Sequence, residues 1–153
     1  MRMVRRVQVT PTVDTAVYTS GDQVSTLQDI RVLGAGKRSG GEIKLITVLD
    51  KGAQSSALDL FFFDRSVTLA ADQAAASISD ADMVFCLGVI NILAADYDAV
   101  GSVNTIATVS VDFPVAAADS GPHIFMAIVA RGAPDYVGAS DLVITVTAVL
   151  EEE

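Results

Sequence analysis

Leu142-Val143-Ile144-Thr145-Val146-Thr147-Ala148-Val149-Leu150 is the stretch of sequence that decides the fold class. Leu142, Ile144, Val146, Ala148 and Leu150 fall on one side of an extended chain, and Val143, Thr145, Thr147 and Val149 on the other. The repeat is two residues rather than 3.6, and most of its members are β-branched. A pleated strand uses such residues well and a helix does not. An aliphatic strand face this continuous needs a second layer to bury it, so the rest of the chain has to supply more strands.

It does so on both sides of each turn signal. Val4–Val9, Thr26–Leu33, Glu42–Lys51, Ser56–Asp64, Val89–Leu93, Val103–Phe113 and Ile124–Arg131 read as strands. They are separated by Thr10-Pro11-Thr12, Ser20-Gly21-Asp22, the glycine-rich run Gly34–Gly41 and a turn around Gly52. In the fourth of these strands Leu58, Leu60 and Phe62 alternate with Asp59, Phe61 and Phe63, so its far end is apolar on both faces, as in a strand covered from two sides. Thr68–Ser79 is alanine-rich without a helical stripe and reads as a long loop. Ser79, followed by Asp80 and Asp82, offers a helix N-cap with acids in the first turn; one short helical turn running into Met83–Leu87 follows, with Gly88 as its stop. No strand–helix–strand alternation is present. Roughly eight or nine strands with turns every ~8–12 residues predict an all-β, two-sheet β-sandwich, jelly-roll-like, with at most one or two short helical turns. A single domain spans residues 1–153, with a basic N-terminal arm at 1–6 and an acidic tail at 151–153.

The chain is 51% hydrophobic, with a mean hydropathy of +0.47. Its longest apolar runs, Met83–Ile90 and Ile124–Ala130, fall well short of the ~18–20 residues a spanning helix needs. Met1–Arg6 has basic residues but no apolar run behind them, so it does not read as a signal peptide. The surplus apolar surface is therefore expected in a large core or in contacts with other chains. Net charge is −9, unevenly spread: residues 1–65 hold nine of the ten Lys and Arg against seven acids, and residues 66–153 hold only Arg131 against twelve. An acidic chain without a basic stripe argues against nucleic-acid binding.

Residues suited to chemistry are few. His123 is the only histidine and stands at a strand entrance, Gly121-Pro122-His123, which favours a turn residue with an ordinary hydrogen bond over a catalytic one. Cys86, the only cysteine, lies in Met83-Val84-Phe85-Cys86-Leu87 and reads as a small buried hydrophobe. Asp80 and Asp82 are explained by helix capping, which leaves Asp96 and Asp98 as the pair that could hold a cation, although the rest of a calcium loop is missing. Gly34–Gly41 lacks the helix that follows a phosphate-binding loop. Phe61-Phe62-Phe63 could be a sugar-stacking platform, but core packing is the better reading. No enzyme signature, metal or cofactor is expected.

Several short segments occur in a telling order: Val9-Thr10-Pro11-Thr12, Tyr18–Val24 and Leu58–Asp64, then Ile78–Asp82 with Gly88-Val89-Ile90, Ala130–Pro134 and Ser140-Asp141-Leu142. Over roughly residues 7–150 the chain resembles a family of small proteins encoded among the structural genes of tailed bacteriophages. The resemblance implies a capsid decoration or cement protein with a jelly-roll-like fold, located on the virion surface after synthesis in the host cytoplasm. It further implies that the partners are the major capsid protein and other copies of the chain. It offers no catalytic residues. A dimer or trimer is expected. Arg2, Arg5 and Arg6, in an extended arm beside Met3, Val4 and Val7, are the candidate partner-binding residues, through addition of a strand to a neighbour's sheet edge; a frayed terminus is the alternative. A receptor- or carbohydrate-binding module of a phage fibre or spike is the other functional reading, and would need exposed aromatics among Tyr18, Tyr97 and Tyr136.

Overall fold

The structure, a computed structural model, describes residues 2–33, 40–118 and 122–151. Nine strands run through it: β1 (Arg2–Val9), β2 (Gln23–Ile30), β3 (Gly40–Asp50), β4 (Leu58–Phe63), β5 (Cys86–Ile92), β6 (Tyr97–Val100), β7 (Asn104–Ala116), β8 (Ile124–Ala130) and β9 (Leu142–Glu151). A single helical turn, α1 (Asp80–Met83), precedes β5, and a 3₁₀ turn, Ala94–Asp96, precedes β6. Two antiparallel sheets result, with strand orders β1-β9-β3-β7-β6 and β2-β8-β4-β5. The pairings are nested: β1 with β9, β2 with β8, β3 with β7 and β4 with β5. A long hairpin folded over itself in this way is a jelly roll, to which β6 adds one strand outside β7. The all-β two-sheet sandwich expected from the alternation is the observed fold.

The core lies between the sheets. From β9, Leu142, Ile144, Val146, Ala148 and Leu150 all enter it, as their period predicts. They meet Leu58, Leu60 and Phe62 of β4 and Met126, Ile128 and Ala130 of β8. Phe63, Ala127 and Val129 are also buried but lie outside that core, on the other face of the four-stranded sheet. The β4–β5 connection explains this. It leaves β4 at Phe63, level with the Asp29–Ile30 end of β2, yet Asp22 at the opposite end of β2 pairs with Ala75. The connection therefore runs diagonally over the outer face before returning through α1, and it gives β4 the two-sided cover its sequence called for.

α1 starts where expected, with Ser79 as N-cap: its side chain accepts from the Asp82 backbone N–H. The turn ends sooner than expected. Cys86 is already in β5, and Gly88, expected as a helix stop, is a strand residue at a bulge with φ +144°. There its missing Cβ matters, because a Cβ would sit 2.8 Å from the Phe113 ring of the facing sheet. β2 begins at Gln23, earlier than Thr26, because a register shift between Val24 and Gln28, with Ser25 at φ +62°, hides the strand from a period-two reading. β6 falls between the expected strands Val89–Leu93 and Val103–Phe113: only four residues long and at a sheet edge, it carries too little alternation to be seen. Of the Gly34–Gly41 run, Gly40 and Gly41 open β3, and the remainder lies outside the described residues.

Candidate functional site

The expectation for residues 1–6 needs correction. Arg2–Arg6 are not a separate arm; they are the first part of β1, paired with β9 from Arg2↔Glu151 to Val9↔Ile144. Val7 and Val9 pack against the core, which ties the strand into its own sheet. The three arginines are also not one cluster. Directly paired residues share a sheet face, so Arg5, opposite the buried Ala148, turns inward, where its Nη1 donates to the Leu33 carbonyl at 2.8 Å. Arg2 and Arg6 are exposed on the outer face with Val4 between them, 68% exposed. β1 stands at the end of the strand order, so among the described residues one side of its backbone has no partner strand. An open cleft of about 400 Å³ adjoins it, lined by Arg2, Gly40, Gly41, Glu42 and Val149.

The other candidates resolve into structural roles. His123 Nδ1 lies 2.7 Å from Asp29 Oδ1, and its ring stacks on Phe125. Asp96 Oδ2 accepts from the Leu93 N–H, holding the 3₁₀ turn, while Asp98 is exposed in β6. Among the described residues no three His, Cys, Asp or Glu side chains assemble as a metal site. Cys86 is half-buried rather than buried, a free thiol whose Sγ lies 3.5 Å from the Gly88 carbonyl. Phe62 and Phe63 are fully buried and Phe61 partly so.

Asp50, which the sequence did not single out, and the pair Tyr18 and Tyr136, named there only as possible exposed aromatics, are both buried. Asp50 is 1% exposed, and its carboxylate accepts from the backbone N–H groups of Gly52, Gln54 and Ser55, each at 2.9 Å. Burial nevertheless holds its carboxyl above the ordinary range, with Asp141 nearby adding to the effect. Tyr18 and Tyr136 are buried edge to face, 6.1 Å apart. The Tyr18 hydroxyl donates to Asp72 Oδ1 and accepts from the Asp14 N–H, and burial pushes its pKa up. Two of the three tyrosines are thus spent in the interior, which removes them from any exposed sugar-stacking platform. A second cleft, about 320 Å³ and lined by Gln54, Ser55, Arg131 and Pro134 among others, has its polar groups tied up. Arg131 Nε pairs with Asp59 Oδ2 at 2.6 Å, and Ser55 Oγ with Thr105 Oγ1 at 3.0 Å.

No helix among the described residues is long and apolar enough to cross a membrane. Comparison with protein-family models finds no match, and neither does comparison with curated proteins, so the resemblance to tailed-phage structural proteins rests on the segments quoted for it.

Proposed function

We propose that this chain is a structural protein of a tailed-bacteriophage virion. It decorates the capsid by binding the major capsid protein and its own copies, and it carries out no catalysis. One observation supports the reading above the rest: on an acidic chain, the edge of β1 presents Arg2 and Arg6 beside a row of backbone N–H and C=O groups that has no partner strand among the described residues. An extended acidic segment of a shell subunit would find main-chain partners there and counter-charges on the outer face. Exposed ion pairs are individually weak, typically under about 1 kcal/mol. Many copies on one shell compensate, because each further contact forms at high effective concentration.

The test is a density gradient of the parent particle probed with an antibody to this chain. Banding with heads is expected. Recovery only with tails or only in the unsedimented fraction would refute the proposal, and tails would favour the receptor-binding alternative. Replacing Arg2 and Arg6 with Glu should lower head occupancy and leave the circular dichroism unchanged, since both side chains are exposed.

A further inference from the structure

We infer that two copies of the chain pack face to face through the outer face of the five-stranded sheet; this rests on the proposed contacts between copies and adds where they form. The fold treats its two outer faces differently. The face of the four-stranded sheet is covered by the β4–β5 connection, with Phe63 and Ala127 fully buried beneath it. Over the other face no connection crosses among the described residues. At its centre Thr145, Thr47 and Thr108 lie side by side across β9, β3 and β7, with Leu45 and Leu49 on either side along β3. Leu45, Thr47 and Leu49 are partly exposed and Thr108 is exposed, while Thr145 and Val143 on the β9 side are buried; across β9, β3 and β7 no charge interrupts these rows.

Charge selects a second copy and its orientation. The β1 margin of this face carries Arg2 and Arg6, and the opposite margin carries Asp98 of β6 and Asp112 of β7, the latter also 2.6 Å from Lys44. A two-fold axis along β3 in the plane of contact keeps each residue at its level along the strands, so it brings Arg6 of each copy, level with Leu45, close to Asp112 of the other. An axis across the strands would lay arginines over arginines. Joining copies by their edges is less favourable. Two β1 strands paired antiparallel would bring arginines together. A β1-to-β6 junction would be parallel, because both edges of this sheet run in one direction, and β6 offers only four residues. Five strands ~4.8 Å apart and about seven residues long at ~3.3 Å each give roughly 500 Å² per copy. The total, about 1,000 Å², is near the lower bound of a specific interface, as expected of a reversible rather than a permanent dimer.

Sedimentation equilibrium of the full chain between about 1 and 200 µM tests this. Wild type should dimerise with concentration, and less readily as salt rises from about 0.05 to 0.5 M. Thr47→Arg, at the centre of the face, should raise the dissociation constant at least tenfold, as should Ser110→Arg, an exposed β7 position beside Leu45 that serves if the first variant misfolds. A dimer unaffected by either folded variant would overturn the inference, and so would a wild type that stays monomeric throughout. Neither result would bear on banding with heads, so failure of this interface is distinguishable from failure of the capsid reading.

Discussion

Gly88→Ala should be one of the costliest single-methyl additions in this protein. Gly88 lies in β5 opposite Phe62, and its φ of +144° is one that side chains rarely adopt. The added Cβ would stand 2.8 Å from Phe113 Cε2 and 3.0 Å from Cζ. Phe113 cannot simply retreat: its ring packs 5.6 Å from that of Phe62, which is fully buried. Backbone strain of this kind costs roughly 1–3 kcal/mol, and forcing a methyl into a filled core about the same again. The sum, roughly 2–6 kcal/mol, would lower Tm by about 5–20 °C in a domain of this size. Phe113→Leu shortens the opposing side chain and relieves the clash but not the strain. Gly88→Ala with Phe113→Leu should therefore be less damaging than the sum of the single changes by about 1–3 kcal/mol. Guanidinium unfolding of the four proteins measures the cycle. Additivity within about 0.5 kcal/mol, or a Gly88→Ala variant melting within about 2 °C of wild type, would refute the assignment of Gly88 as the point of close approach between the sheets.

Four further outcomes follow from buried polar groups. Asp50→Ala deprives three backbone N–H groups of their acceptor and should cost about 2–4 kcal/mol by denaturant unfolding; a loss below about 1 kcal/mol would show that the turn holds itself. Because burial raises the Asp50 carboxyl in the folded state, its contribution is fully present below the unfolded value near ~4 and declines as pH rises through the folded one. The cost of Asp50→Ala should accordingly be greater at pH ~4 than at pH ~7, and the opposite trend would reverse the sign of the burial argument. All three tyrosines are pushed upward by burial, so tyrosinate absorbance near 295 nm should be absent through pH ~10 and should appear together with loss of the β circular dichroism signal. A tyrosinate midpoint near ~10 with the fold intact would mean that Tyr18 and Tyr136 are not interior. Tyr18→Phe, which removes the bond to Asp72 and leaves the Asp14 N–H without its acceptor, should cost about 1–3 kcal/mol in the same denaturant assay.

The sequence by itself determined what depends on near neighbours along the chain. Period two in Leu142–Leu150 is a property of adjacent residues, and all five members of its aliphatic side enter the core. Ser79 could be read as a cap because its bond reaches only to Asp82. The two-sided apolar end of β4 likewise announced a covered strand. What only the tertiary structure decided depends on partners distant in sequence. Gly88 reads as a stop until Phe113 is known to press on it from the other sheet. β6 is four residues of weak pattern that β7 recruits as an edge. Arg2, Arg5 and Arg6 look like one basic cluster in the linear chain, yet register against β9 turns Arg5 inward and leaves the others outside. The same nesting that pairs β1 with β9 and β3 with β7 interleaves the basic first half of the chain with the acidic second half. Antiparallel pairing thereby places Arg2 and Arg6 at one margin of the five-stranded sheet and Asp98 and Asp112 toward the other, although the chain keeps them far apart.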